Sequence, residues 1–151
     1  MARVNTFGIG ENIKDLDFQS KNMKKQTKMM LRAGAEIVVE KTKQAAVGFG
    51  LERTGQLKDS IEYGSTRSTS DGAEIDIYPK GEHINEGKRG QSFVERNAVI
   101  GFVQNYGRRY GKRKYTVRAG RPFFDRGFED SAEEVGKKWE EMWDVFVKQR
   151  G

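Results

Sequence analysis

Between residues 20 and about 47, the apolar or small positions Met23, Thr27, Met30, Leu31, Gly34, Ile37, Val38 and Ala45 recur at steps of three and four. That is the period of one helical face. Lys24, Lys25, Lys28, Arg32, Glu36, Glu40 and Lys43 fill the remainder, so the pattern predicts a long amphipathic helix. Gly48-Phe49-Gly50 closes it, because glycine tolerates the left-handed backbone of a helix end. A methionine-bearing stripe of this kind is core rather than a binding surface.

Thr54-Gly55 then supplies a turn, and residues 57–65 read as a helical turn running into a strand with Ile61 and Tyr63 on one face. Residues 68–72 form a polar turn. The run Ala73-Glu74-Ile75-Asp76-Ile77-Tyr78 alternates apolar and polar positions until Pro79, which predicts a half-buried antiparallel strand and, with the previous run, a hairpin. Residues 80–96 hold three glycines and few apolar side chains, so an extended, exposed loop is expected there. Residues 97–106 restore an apolar run with Val99, Ile100, Phe102 and Val103, read as a more buried strand. A second extended loop, 107–118, follows, in which Thr116-Val117-Arg118 offers a short further strand.

Pro122 suits the first position of a helix, where its missing N–H would have no partner. Phe124, Phe128, Ala132, Val135, Trp139, Met142, Trp143 and Phe146 then continue at helical spacing, a stripe for core or subunit interface. Gly127 and Gly136 each weaken this helix by up to about 1 kcal/mol relative to alanine, so a bend is expected near one of them. Ser131-Ala132-Glu133-Glu134 also fits a capping box, which allows a break and restart at Ser131. Residues 1–12 carry Phe7 and Ile9 without any period and read as a flexible arm, one that in a ring could add a strand to a neighbour. The expected fold is α+β: a small, mostly antiparallel sheet packed by a long N-terminal helix and a C-terminal amphipathic helix, with long loops.

Size and composition narrow the function. A chain of 151 residues suits a single domain over 1–151 with a core that needs no covalent staples. The lack of cysteine excludes disulfides and thiolate metal sites and fits assembly in a reducing cytoplasm. No apolar run approaches the roughly 18 residues of a membrane helix, and the first residues lack the apolar stretch of a signal peptide. With 35% hydrophobic and 33% charged residues, the core must be small and aromatic-rich, which leaves much surface for partners. A net charge of +6 favours acidic partners, either nucleic acid or an acidic protein.

Catalytic patterns are absent from the sequence. His83 stands alone with Glu82 and Glu86, without the spacing of a zinc site. Ser60, Ser65, Ser68 and Ser70 sit in no nucleophile elbow, and Gly48, Gly50 and Gly55 lack the Gly-Lys-Ser/Thr ending of a phosphate loop. Glu74 and Asp76 could suggest the magnesium site of a nuclease, but alternation with Ile75 and Ile77 puts both on an outward face. No catalytic, cofactor or metal residue is expected. The strongest charge cluster is Arg108, Arg109, Lys112, Arg113, Lys114, Arg118 and Arg121, interleaved with Tyr110 and Tyr115 and free of acids. Three readings of it stay open: a solvated loop, an interface with an acidic protein, or contact with DNA through phosphates and base stacking.

Thr54, Gly55, Leu57, Ser60 and Ile61, then Tyr106-Gly107, then Pro122-Phe123, occur in an order that resembles the head-to-tail joining, or tail-completion, family of long-tailed bacteriophages. The resemblance covers about two-thirds of the chain, and each short motif is weak by itself. It implies a structural virion protein of the neck, assembled in the host cytoplasm, without catalytic residues. It further implies a ring, expected to hold six copies, between a head-side connector or head-closure protein and a tail-tube or tail-terminator protein, with genomic DNA passing through. The competing readings are a basic nucleic-acid-binding module using residues 108–121 and a metal-dependent nuclease centred on Asp76.

Overall fold

The computed structural model describes residues 2–5, 21–51, 55–86, 90–110 and 116–150. Thr54, Lys112, Arg113 and Lys114 lie outside the described residues, as does most of the expected arm.

The first long period folds as expected. Helix α1, Lys21–Gly48, buries Met23, Thr27, Met30, Leu31, Ala35, Val38 and Ala45 along one side. Its end is closed by Gly50 at φ 71°, with the Phe49 N–H donating to the Ala45 carbonyl at 3.0 Å and the Leu51 N–H to Ala46 at 2.9 Å. Gly55, at φ 66°, then opens the short helix α2, Gln56–Ser60, whose Leu57 turns inward. A β-branched residue at Gly55 would enter left-handed backbone at a cost of about 1–2 kcal/mol. Gly55→Val is therefore expected to lower the urea midpoint more than Gln56→Val, and equal midpoints for the two variants would contradict this account.

The predicted alternating strand is the centre of the sheet. In β4, Gly72–Pro79, the residues Ala73, Ile75 and Ile77 are buried while Glu74, Asp76 and Tyr78 take the other face. Two short strands, β2 (Ile61–Tyr63) and β3 (Arg67–Thr69), lie end to end along one edge of β4. On the other edge, β1 (Ala2–Asn5) pairs antiparallel with it, Ala2 opposite Ile77 and Asn5 opposite Glu74. This part of the expected arm is thus a strand of its own sheet. Its four residues are too few to show a period, and the open edge of β4 supplies the partner.

Helix α1 packs on this sheet and, along its length, against the antiparallel C-terminal helix α4, Phe123–Arg150. Leu31, Ala35, Val38, Ile61, Ile75, Ile77 and Phe123 join in one buried core. The α+β class is the one the sequence predicts. Within α4, however, no break occurs at Gly127, Ser131 or Gly136. Its deepest positions are Phe123, Gly127, Ser131 and Val135, while Phe128, Trp139, Met142, Trp143 and Phe146 are half-buried and Ala132 is exposed. The capping-box serine is instead an interior residue whose Oγ donates to the Phe128 carbonyl at 2.9 Å.

Three expectations for residues 80–118 are corrected. The first expected loop is a hairpin of β5 (Glu82–Glu86) and β6 (Ser92–Arg96), with Ile84 opposite Val94. The second is a hairpin of β7 (Gly107–Tyr110) and β8 (Thr116–Ala119). Residues 97–106, expected as a strand, form helix α3, Asn97–Tyr106. Tertiary contacts override the β-branched composition here. The Asn97 N–H donates to Gly81 at 3.0 Å, and its side-chain amide donates to the Lys80 carbonyl at 2.7 Å, so both groups anchor the helix start. Gly101 lets the backbone meet the sheet, since a Cβ there would lie 2.7 Å from the Pro79 Cγ.

Candidate functional site

Helix α3 is turned inside out relative to its sequence. Asn97, Gly101 and Asn105, spaced by four residues, face inward, whereas Val99, Phe102 and Tyr106 stand more than half exposed. Small and polar residues win the inner side because close backbone approach and hydrogen bonds need them there. Asn105 is 3% exposed, and its Oδ1 accepts the Phe124 N–H at 3.0 Å, serving one of the unpaired donors in the first turn of α4. The outward side keeps a contiguous apolar surface, with the Phe102 and Tyr106 rings 4.8 Å apart. On the preceding hairpin, Ile84 and Val94, directly opposite one another, are likewise exposed.

The residue groups of the phage resemblance converge on this helix. Leu57 of α2 lies beside Gly101, and the Ser60 carbonyl accepts the Lys80 N–H at 2.7 Å. Ile61 begins β2 and is wholly buried. Tyr106 ends α3, and Gly107, at φ 83°, turns the chain into β7. Pro122 precedes α4, whose first residue Phe123 is in the core. Gly120 is wedged against α3, because a Cβ there would come within 2.4 Å of the Asn105 carbonyl oxygen. Arg121 completes the joint: its N–H donates to Gln104 at 2.7 Å and its guanidinium to the Phe49 carbonyl at 3.3 Å, beyond the end of α1.

Of the basic cluster, Arg108 and Arg109 fall on β7 and Arg118 on β8, with Arg108 directly opposite Arg118. Arg121, by contrast, is occupied in the joint between α1, α3 and α4.

The other candidates are engaged within the fold. The Arg67 guanidinium bridges Glu74 at 3.2 Å and Asp76 at a shorter distance, on the outward face of the sheet. His83 sits opposite Glu95 in the β5–β6 hairpin. Among the described residues no group of three or more His, Asp or Glu is placed to hold a metal ion, and no helix is long and apolar enough to cross a membrane. A groove of about 400 Å³ beside Ala45 and Phe49 is lined on its α4 side by the paired Arg126 and Asp130. Nearby, the Glu134 carboxylate holds the Lys41 ammonium at 3.1 Å and raises its pKa above the usual value.

The exposed face of α3 escapes the strand reading of residues 97–106. A signal for it was present: Val99, Phe102, Val103 and Tyr106 follow a helical three-four-seven spacing.

Residues 11–96 match the family described as "Bacteriophage HK97-gp10, putative tail-component". The match takes in α1, α2 and β2 to β6 and ends at the residue before α3. Neither the curated proteins nor the solved structures give a match.

Proposed function

The chain belongs to the HK97-gp10-like family of bacteriophage tail components, and we propose that it forms a ring in the neck of the virion that joins the connector of the DNA-filled head to the tail. The observation that carries this reading is the outward apolar face of α3, with Val99, Phe102 and Tyr106 each more than half exposed. A contiguous apolar helix face in a highly charged protein marks a surface that another protein covers. Ring formation needs two complementary surfaces on each subunit, and a closed rotation fixes the copy number. The partners are further copies of the chain, a head-side connector or head-closure protein, and a tail-tube or tail-terminator protein. In this reading the six cations among residues 108–118 serve an acidic neighbour or the passing genome.

Electron microscopy of the purified protein tests the ring directly: closed rings are expected, and a field of monomers at high concentration would refute it. The basic hairpin is tested in the phage. Replacing Arg109, Lys112 and Arg113 by Ser is expected to leave the fold intact while filled heads and tails accumulate separately. Normal yields of joined, infectious particles would remove the hairpin from head-to-tail joining.

A second reading, a nucleic-acid-binding module, draws on the opposed pair Arg108 and Arg118. It predicts DNA binding that weakens steeply with salt, because neutralised phosphates release counterions.

A further inference from the structure

The α1–α4 pair carries opposite charge on its two outer edges. In α1, residues 22–35 hold Lys24, Lys25, Lys28 and Arg32 and no acid. Lys24, Lys28 and Arg32 are spaced by four residues and Lys25 is a helical neighbour of Lys28, so the four form one stripe, exposed except for the half-buried Lys28. Gln26, Met30 and Gly34, which meet α4, take the other side: at about 100° per residue the two sets are centred roughly 180° apart. In α4, Glu129, Glu133, Glu140 and Asp144 are exposed and follow steps of four, seven and four residues. Their stripe is turned away from Gly127, Ser131 and Val135, the side that lies against α1. Glu133 is paired with Lys137 at 2.6 Å, but the four cations and Glu129, Glu140 and Asp144 have no ion-pair partner among the described residues.

We infer that the basic edge of α1 in one copy seats against the acidic edge of α4 in the next copy, an assignment that rests on the ring reading above and names the two surfaces that meet in it. The edges match in height. The Gln26 amide donates to the Met142 carbonyl at 3.3 Å and the Trp139 indole to the Met30 carbonyl, so Lys25 and Lys28 lie at about the same level of the pair as Asp144 and Glu140. Copies related by a rotation about an axis along the pair meet without a shift in height, which brings the two clusters together. The edges also match in length, since Lys24 to Arg32 spans roughly 12 Å and Glu133 to Asp144 roughly 16 Å. Within one copy they cannot meet, because two packed helices hold their outer edges roughly 20 Å apart. A basic surface on one side and an acidic one on the other make a heterologous contact, the kind that closes into a ring. Each edge adds apolar area: Met29, 47% exposed, lies one turn from Lys25 and Arg32, and Val147, 48% exposed, lies one turn beyond Asp144. The acidic edge repels nucleic acid, and the basic surface that complements it is one the same chain presents.

Charge reversal tests this in purified full-length protein, with oligomeric mass read by sedimentation at low salt. One variant carries Lys24→Glu, Lys25→Glu and Lys28→Glu; the other carries Glu129→Lys, Glu140→Lys and Asp144→Lys. Each alone is expected to lose the oligomer while keeping its melting temperature near that of the wild type. A chain carrying both sets restores complementarity at every contact and is expected to regain the oligomer, whatever the copy number. Zero-length carbodiimide cross-linking needs no variant. In a mixture of isotope-labelled and unlabelled wild-type chains it is expected to join Lys24, Lys25 or Lys28 of one copy to Glu140 or Asp144 of another. Reversed variants that assemble alone as the wild type does, a combined variant that stays apart, or a cross-linked oligomer without those products would overturn the pairing and leave the ring standing. A wild-type chain that stays monomeric would overturn both. Reversal of the α1 cations that abolishes binding to duplex DNA without changing the oligomer would assign that edge to DNA and likewise overturn the pairing.

Discussion

Gly127→Ala is expected to destabilise the protein by about 2 kcal/mol or more, whereas Gly136→Ala on the same helix is expected to stabilise it by up to about 1 kcal/mol. The substitution is identical and the helix is continuous, so propensity favours alanine equally at both sites. The surroundings decide the sign. A Cβ at Gly127 would lie 2.4 Å from the Thr42 Oγ1, 2.6 Å from its Cα and 2.8 Å from its backbone N, whereas at Gly136 it would meet nothing within 4 Å. Two of the three clashing atoms are backbone, so α1 and α4 must separate rather than let a side chain rotate. Overpacking of this kind typically costs about 1–3 kcal/mol, and rigid neighbours favour the upper end. Of these three atoms Thr42→Ala removes only the Oγ1, so adding it to Gly127→Ala is expected to rescue little. Urea unfolding midpoints of the three variants check this, and a Gly127→Ala midpoint at or above that of the wild type would show that the helices do not meet at Gly127.

The second large effect concerns Trp139, whose indole packs farther along the α1–α4 contact. Its Nε1–H donates to the Met30 carbonyl at 2.5 Å, and its ring lies over Gly34, where a Cβ would come within 2.8 Å of the Nε1. Trp139→Ala should cost about 3 kcal/mol, the lower end of the range for aromatic truncation, because the ring is only half-buried. Trp139→Phe keeps most of the apolar contact and loses the hydrogen bond, at about 1 kcal/mol. Gly34→Ala should also destabilise, since the added methyl pushes against the indole. Calorimetric melting of the three variants orders them; equal stability of Trp139→Ala and wild type would place the indole outside the packed interface.

Both effects arise from positions whose residue type was plain in the sequence but whose neighbours were not. Gly127 read as a weak point in a helix, and Ser131 as a possible new start. In the fold they are two of the four deepest positions of α4, because a small residue is what lets a second helix approach closely. The family residues show the same division. Gly55, Leu57, Tyr106-Gly107 and Pro122-Phe123 were recognisable as separate short signals, while their convergence on α3 depends on tertiary contacts such as Leu57 with Gly101 and Gly120 with Asn105.

The sequence by itself determined α1, the alternating strand β4 and the amphipathic course of α4. Each buries one side against the rest of the protein over enough residues for its period to stand out. It also determined the end of α1 at Gly48-Phe49-Gly50 and the turn at Gly55, because glycine carries positive φ without steric cost. Only the tertiary structure decided the state of residues 97–106. Their apolar run fits a strand or a helix, and the choice fell to Asn97, Gly101 and Asn105, whose bonds and close approach secure the inner side of a helix and leave Val99, Phe102 and Tyr106 outside. The β1–β4 pairing was decided the same way, because a short strand gains its stability from its partner and no local pattern encodes one that only folding brings near.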